Sequence, residues 1–98
     1  MPAKRGTKAK TVQVTFTLPA SVDAEEVVLC GEFNNWSTND IRLNRDDDGP
    51  WQTSLDLEPG HSYRYRYLLD GHRWENAWDA DKYVSNAYGS DDSVVVVP

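Results

Sequence analysis

Trp36, Trp74, Trp78 and Tyr88 each stand in or beside stretches rich in Asn, Asp, Gly and Ser, outside the alternating apolar segments that build a core. An indole is flat and largely apolar, with one N–H donor at its edge. It matches the C–H face of a pyranose ring, whose belt of hydroxyls then asks for donors and acceptors alongside. Asn34, Asn35, Arg66 and Asp92 supply such groups close by in the sequence. One aromatic of this kind suits the end of a β-sandwich equally well; several together suit a sugar.

Other chemistries fare worse. Glycoside hydrolysis needs two carboxyl groups at a set separation across a cleft, one of them with a raised pKa. The acids here fall mostly in turns, and nothing in the pattern implies a cleft. Asn44, Asp46, Asp48 and Gly49 match the first half of a calcium loop, but the twelfth position is Leu55 where a bidentate Glu is required. His61 and His72 lack Cys partners at ligand spacing. There is no Gly-rich phosphate loop and no Ser-His-Asp ordering. The sequence therefore implies no catalytic residue, no metal and no cofactor.

The elements that must position these side chains are strands. From Tyr63 the alternation is strict: Tyr63, Tyr65, Tyr67 and Leu69 lie to one side, Arg64, Arg66 and Leu68 to the other. Asp70-Gly71 then suits a two-residue type I′ hairpin turn, and the chain returns at Arg73 to Glu75 carrying Trp74. Thr11 to Leu18, Glu26 to Gly31, Ile41 to Arg45, Trp51 to Leu57 and Ser93 to Val97 read as further strands, with Pro19 ending the first. Gly31 to Asp40 and Asn76 to Asp92 read as loops. No segment has helical periodicity, and about seven short strands point to an all-β, immunoglobulin-like antiparallel β-sandwich.

The chain has 98 residues, one domain's worth, with 39% hydrophobic and 11% aromatic residues, enough for a folded core. Its formal net charge is −6. Lys4, Arg5, Lys8 and Lys10 all precede Thr11, so residues 1–10 read as a flexible basic leader and residues 11–98 as the domain. Without those four, 6 basic residues face 16 acidic ones, a balance that repels phosphate backbones and makes nucleic acid an unsuitable partner. Cys30, the single cysteine, sits in an apolar run and reads as a small buried hydrophobe. The absence of an apolar signal region or membrane-length run suggests a cytoplasmic protein with no membrane partner.

Three segments resemble one family. Gly31 to Trp36, GEFNNW, is similar to the Gly-x-Phe-Asn-x-Trp signature of carbohydrate-binding module family forty-eight. That family includes the glycogen-binding domain of AMP-activated protein kinase β subunits and the early-set N-terminal domains of isoamylases and glycogen branching enzymes. YRYLLDGHRW looks like its Tyr-Lys-Phe-x-Val-Asp-Gly-x-Trp segment, and NAYGSDDSVV, Asn86 to Val95, resembles its Asn-Pro-Phe-Gly-Gly-x-Asn-Ser-Val ending. The resemblance spans about residues 12 to 97. It implies non-catalytic binding of α-1,4-linked glucan on a shallow site. Trp36 and Trp74 would be the stacking platforms, Arg66 a ligand-contacting cation, Tyr88 an apolar residue running along the glucan, and Ser90 and Asp92 hydroxyl-binding groups. The sequence departs from the pattern in having Asp92 for an amide, Arg66 for lysine, one extra residue before Trp74, and Trp78 in an expanded loop.

Two other readings compete. The chain would be an accessory N-terminal-type domain of a family-thirteen glycoside hydrolase or branching enzyme, whose catalytic barrel needs about 250 residues. Or it would be a protein-interaction module, with an unknown protein partner, that has lost sugar binding; Asp92 and the acidic surface favour that version.

Overall fold

The computed structural model describes residues 3–6 and 10–98, with the side chains of Ala3 and Arg5 outside the description. Two antiparallel sheets form a sandwich. The smaller has the order β1 (Ala3–Gly6), β2 (Val12–Leu18), β5 (Trp51–Leu57). The larger has β4 (Ile41–Arg42), β3 (Val27–Gly31), β6 (His61–Leu69), β9 (Asp91–Val97) and β8 (Lys82–Ser85) in that order, with β7 (Arg73–Glu75) also paired to β6.

Alternation decides which residues fill the space between the sheets. Val14, Phe16 and Leu18 of β2 face Tyr65, Tyr67 and Leu69 of β6, and all six are buried. Phe16 and Tyr65 meet edge to face with ring centroids 5.0 Å apart, and Tyr67 stands at 85° to Tyr65. Such tilted pairs stabilise by about 1 kcal/mol beyond the area they bury. Trp51 and Leu57 close the ends of β5. The chain changes sheets after β4: Leu43 N–H still bonds to Val27 C=O, while Asn44 already pairs with Gln52 of the smaller sheet.

The described residues form nine strands, two more than the spacing of turn signals suggests. Where the sequence reads as a basic leader, Ala3–Gly6 is an edge strand, registered Ala3 to Thr15 and Gly6 to Val12. Lys4 reaches across to the larger sheet, its Nζ 2.7 Å from the carboxylate of Asp81. Lys82–Ser85 lies inside the segment expected to be loop. It forms a strand because β9 offers it a free edge, with Lys82 opposite Val94 and Ser85 opposite Asp91. Neither strand has apolar alternation of its own to announce it.

The hairpin after β6 is longer than a two-residue turn. Asp70 and Gly71 both take positive φ, and His72 N–H bonds to Leu69 C=O as a type I′ turn requires. The ladder closes one residue later, at Leu69 opposite Arg73, so His72 is an extra residue in the loop. Asp70 also ties this turn to the start of β3: its Oδ1 accepts hydrogen bonds from Glu25 N–H (2.8 Å) and Glu26 N–H (2.9 Å). Those bonds, Glu26's foremost, hold the Asp70 carboxyl below its ordinary value of 3.8. A depressed carboxylate pKa stabilises the fold above that value, and the stabilisation is lost as pH falls through the folded-state value. Asp70→Asn keeps the acceptor oxygen and suits the turn, so its stability deficit against wild type should be greatest near neutral pH and vanish in acid. Denaturant melts across a pH series from about pH 7 downwards measure this.

Candidate functional site

The outer face of the larger sheet is the other half of the same alternation. Cys30 of β3 lies opposite Arg66 of β6, and Leu68 lies opposite Trp74 of β7. Val28, Cys30 and Leu68 form a small buried cluster on this side, separate from the main core. Trp36 packs over it.

The loop after β3 brings Trp36 there. Gly31 is held closely, since a Cβ at that point would sit 2.7 Å from both Arg64 C=O and the Phe33 ring. A 3-10 turn follows, Glu32–Asn34. Phe33 turns inward, its ring centroid 5.7 Å from Phe16 and 6.0 Å from Tyr63. Asn34 locks the turn, accepting from Gly31 N–H and donating to Leu29 C=O. Its amide is therefore spent on the loop and is not the ligand group its sequence position suggests. Asn35 and Trp36 both have left-handed backbone, φ 54° and 60°, a conformation that costs a bulky residue about 1 kcal/mol or more. Trp36 N–H bonds to Gly31 C=O and fixes the reversal. Phe33 consequently anchors in the core while Trp36 is thrown onto the opposite side of the sheet.

Trp36, Arg66, Trp74, Tyr88 and Asp92 all line one open groove of about 760 Å³, joined by Glu32, Thr38, Arg64 and Asn86. Asn34, Asn35, Trp78 and Ser90, also picked out by sequence, do not line it; Ser90 stands behind Arg66, whose guanidinium donates to Ser90 Oγ at 3.1 Å. Trp74 is 45% exposed and Tyr88 93%. Trp36 differs from expectation: it is half-buried, because its underside covers the Val28–Cys30–Leu68 cluster. Trp78, 57% exposed, lies elsewhere, in a small hollow with Thr17, Leu18, Pro19 and Pro50 that shares no residue with the groove.

Asp92 is 7% exposed. It accepts from Asn86 Nδ2 at 3.1 Å, and its oxygens lie 3.6 Å from the guanidinium groups of Arg64 and Arg66. Asn76 joins the same network, accepting from Arg66 Nε and Ser93 Oγ and donating to Asp91 C=O. Glu32 accepts from Arg64 N–H at 2.6 Å. Two guanidinium groups and two carboxylates thus balance along the groove wall, which leaves it no charge preference and many hydroxyl partners.

Asn86 is the organiser that sequence reasoning missed. Its Oδ1 accepts from Tyr88 N–H and Ser90 N–H, and its Nδ2 donates to Ser90 Oγ and Asp92. With Gly89 at φ 79° this makes a tight turn that holds Tyr88 out at the rim. The signal was the Asn three residues before a Gly, a common turn pairing.

A sheet face that carries an open aromatic groove, neutral in balance, is the anatomy of a binding module. The profile of the carbohydrate-binding module 48 family (isoamylase N-terminal domain) matches residues 4–89. The chain belongs to that family, and it is a carbohydrate-binding module. The match takes in Trp36, Arg66, Trp74 and Tyr88 and stops short of Ser90 and Asp92. It also takes in Lys4, on the strand that the sequence reads as leader.

Burial beneath Trp36 pushes the Cys30 thiol up to about 11. Thiols react as thiolates, so Cys30 should resist a thiol reagent such as DTNB at neutral pH in the folded protein. In Trp36→Ala, still folded by circular dichroism, labelling should accelerate by at least about tenfold, while Trp74→Ala should label as slowly as wild type.

Proposed function

We propose that this module binds α-1,4-linked glucan, of the glycogen or starch kind, non-catalytically and in the cytoplasm, by stacking glucose units on Trp36 and Trp74. The observation that carries the reading is that two indoles from separate elements, the loop after β3 and strand β7, line one groove together with Arg66 and Asp92. An open groove along a sheet suits the side of a polymer better than a single small molecule, which prefers an enclosed pocket. The family's kinship with isoamylase N-terminal domains supports an α-linked glucan as that polymer.

The division of labour follows from chemistry. Trp36 and Trp74 take the C–H faces of the sugar. Arg66 and Asp92 take hydroxyls, Asp92 acting as acceptor and Arg66 as donor, while Ser90 braces the Arg66 guanidinium from behind. Tyr88, held at the rim by the Asn86 turn, lies along the neighbouring unit. The two acids of the groove, Glu32 and Asp92, are already engaged by donors of the fold and serve as acceptors. Because the sheet is pre-formed, little ordering cost falls on binding.

Titration with β-cyclodextrin or maltoheptaose, followed by tryptophan fluorescence, tests this. Trp74→Ala should weaken binding by about tenfold or more, equivalent to ~1.4 kcal/mol, with little change in melting temperature. Trp36→Ala should lose binding and also destabilise the fold by about 1–3 kcal/mol, because it uncovers Val28, Cys30 and Leu68. Wild-type affinity should change little between low and moderate salt, as suits a neutral ligand. Unaltered β-cyclodextrin binding by Trp74→Ala would remove the stacking assignment.

A further inference from the structure

Beyond the groove, the outer face continues. Glu32 and Arg64 line the groove on one side and, on the other, a second hollow of about 190 Å³ completed by Ser62, Lys82, Val84 and Val94 beside Tyr63. Strand register explains the continuity. Arg64 lies opposite Val94, and Val94 lies opposite Lys82, so Arg64, Val94 and Lys82 form one row across β6, β9 and β8. Alternation along β6 places Ser62 and Arg64 on the same face as Arg66. The side chain of Val94 is buried and forms a floor, while Ser62 and Lys82 stand exposed around it.

We infer that this second hollow is a further glucan subsite, which takes the units of a longer chain that run on past Arg64 from the indole groove. The inference rests on the glucan reading above and adds to it a preference for chain length. The hollow repeats the chemistry of the groove without an indole: Val84, part-exposed over the buried Val94, offers an apolar patch to C–H groups, and Ser62, Lys82 and Glu32 surround it with hydroxyl partners. Lys82 makes no ion pair among the described residues, so its ammonium is available as a donor. Arg64 forms the saddle between the two hollows. Its backbone is fixed by Glu32, and its guanidinium leans towards Asp92 at 3.6 Å, which keeps the passage along the sheet bordered by donors. Lacking a stacking platform, the subsite holds nothing alone and contributes only when the same chain is already seated between Trp36 and Trp74, as a tethered second contact does.

Calorimetric titration of the full chain with maltotriose and maltoheptaose tests the inference. Wild type should bind maltoheptaose about tenfold more tightly than maltotriose. In Ser62→Ala/Lys82→Ala that advantage should shrink to about threefold, the part that comes from the longer chain having more registers, with maltotriose affinity unchanged. Both positions are exposed, and an unchanged melting temperature verifies the fold. Retention of the full advantage by the double variant overturns the inference, and so does an equal loss for both sugars, which would place the effect in the groove itself. A wild type that binds maltotriose and maltoheptaose equally overturns it as well. A wild type that binds neither sugar removes the glucan reading itself, an outcome distinct from those three.

Discussion

Arg66 cannot leave the outer face of the larger sheet without drawing Tyr65 and Tyr67 out of the core. The period of a strand allows no other arrangement: a slip of one residue exchanges every side chain between the two faces. Tyr65 and Tyr67 are clamped by Phe16 and by each other, so the core fixes the register of β6. The register then fixes Arg64, Arg66 and Leu68 on the side where the groove lies. β3 and β9 are paired to β6 on either flank, and their outward residues, Cys30 and Asp92, fall into line with it. The site is the reverse side of the core.

The two indoles reach that side by different means. Trp74 arrives through strand geometry, opposite Leu68 after a three-residue loop pinned by Asp70. Trp36 arrives through an irregular loop in which two consecutive non-glycine residues are left-handed. The strain is held because Phe33 is anchored among aromatic rings, Gly31 admits a close approach, and Asn34 bonds the turn at two points. Each residue of GEFNNW thus has a mechanical part, and most of them serve to place the last.

Much of this was legible in the sequence, for a physical reason. Alternation within 12–18, 51–57 and 63–69 is a local property of the chain, and it declared those strands, their inward faces and the outward arginines. What escaped was non-local. Lys82–Ser85 is a strand only because β9 presents an edge, and Ala3–Gly6 only because β2 does. Cys30 reads correctly as buried, but it is buried on the outer face, where Val28, Leu68 and Trp36 converge from separate segments. Trp36 looked like an open platform for the same reason: nothing near position 36 reveals what lies beneath the ring. Asn34 looked like a ligand group and is a tether, because an amide in a loop serves the nearest backbone first.

The cap that Trp36 forms over Val28, Cys30 and Leu68 has an evolutionary consequence. If the two indoles stack sugar as proposed, selection on folding and selection on recognition act on Trp36 together, whereas Trp74, with nearly half its surface in water, answers mainly to recognition. A descendant that abandoned sugars would be free to drift at position 74 long before position 36. On the proposed reading, an aromatic retained at 36 among relatives of this module would be a mark of ancestry, and one retained at 74 a mark of use.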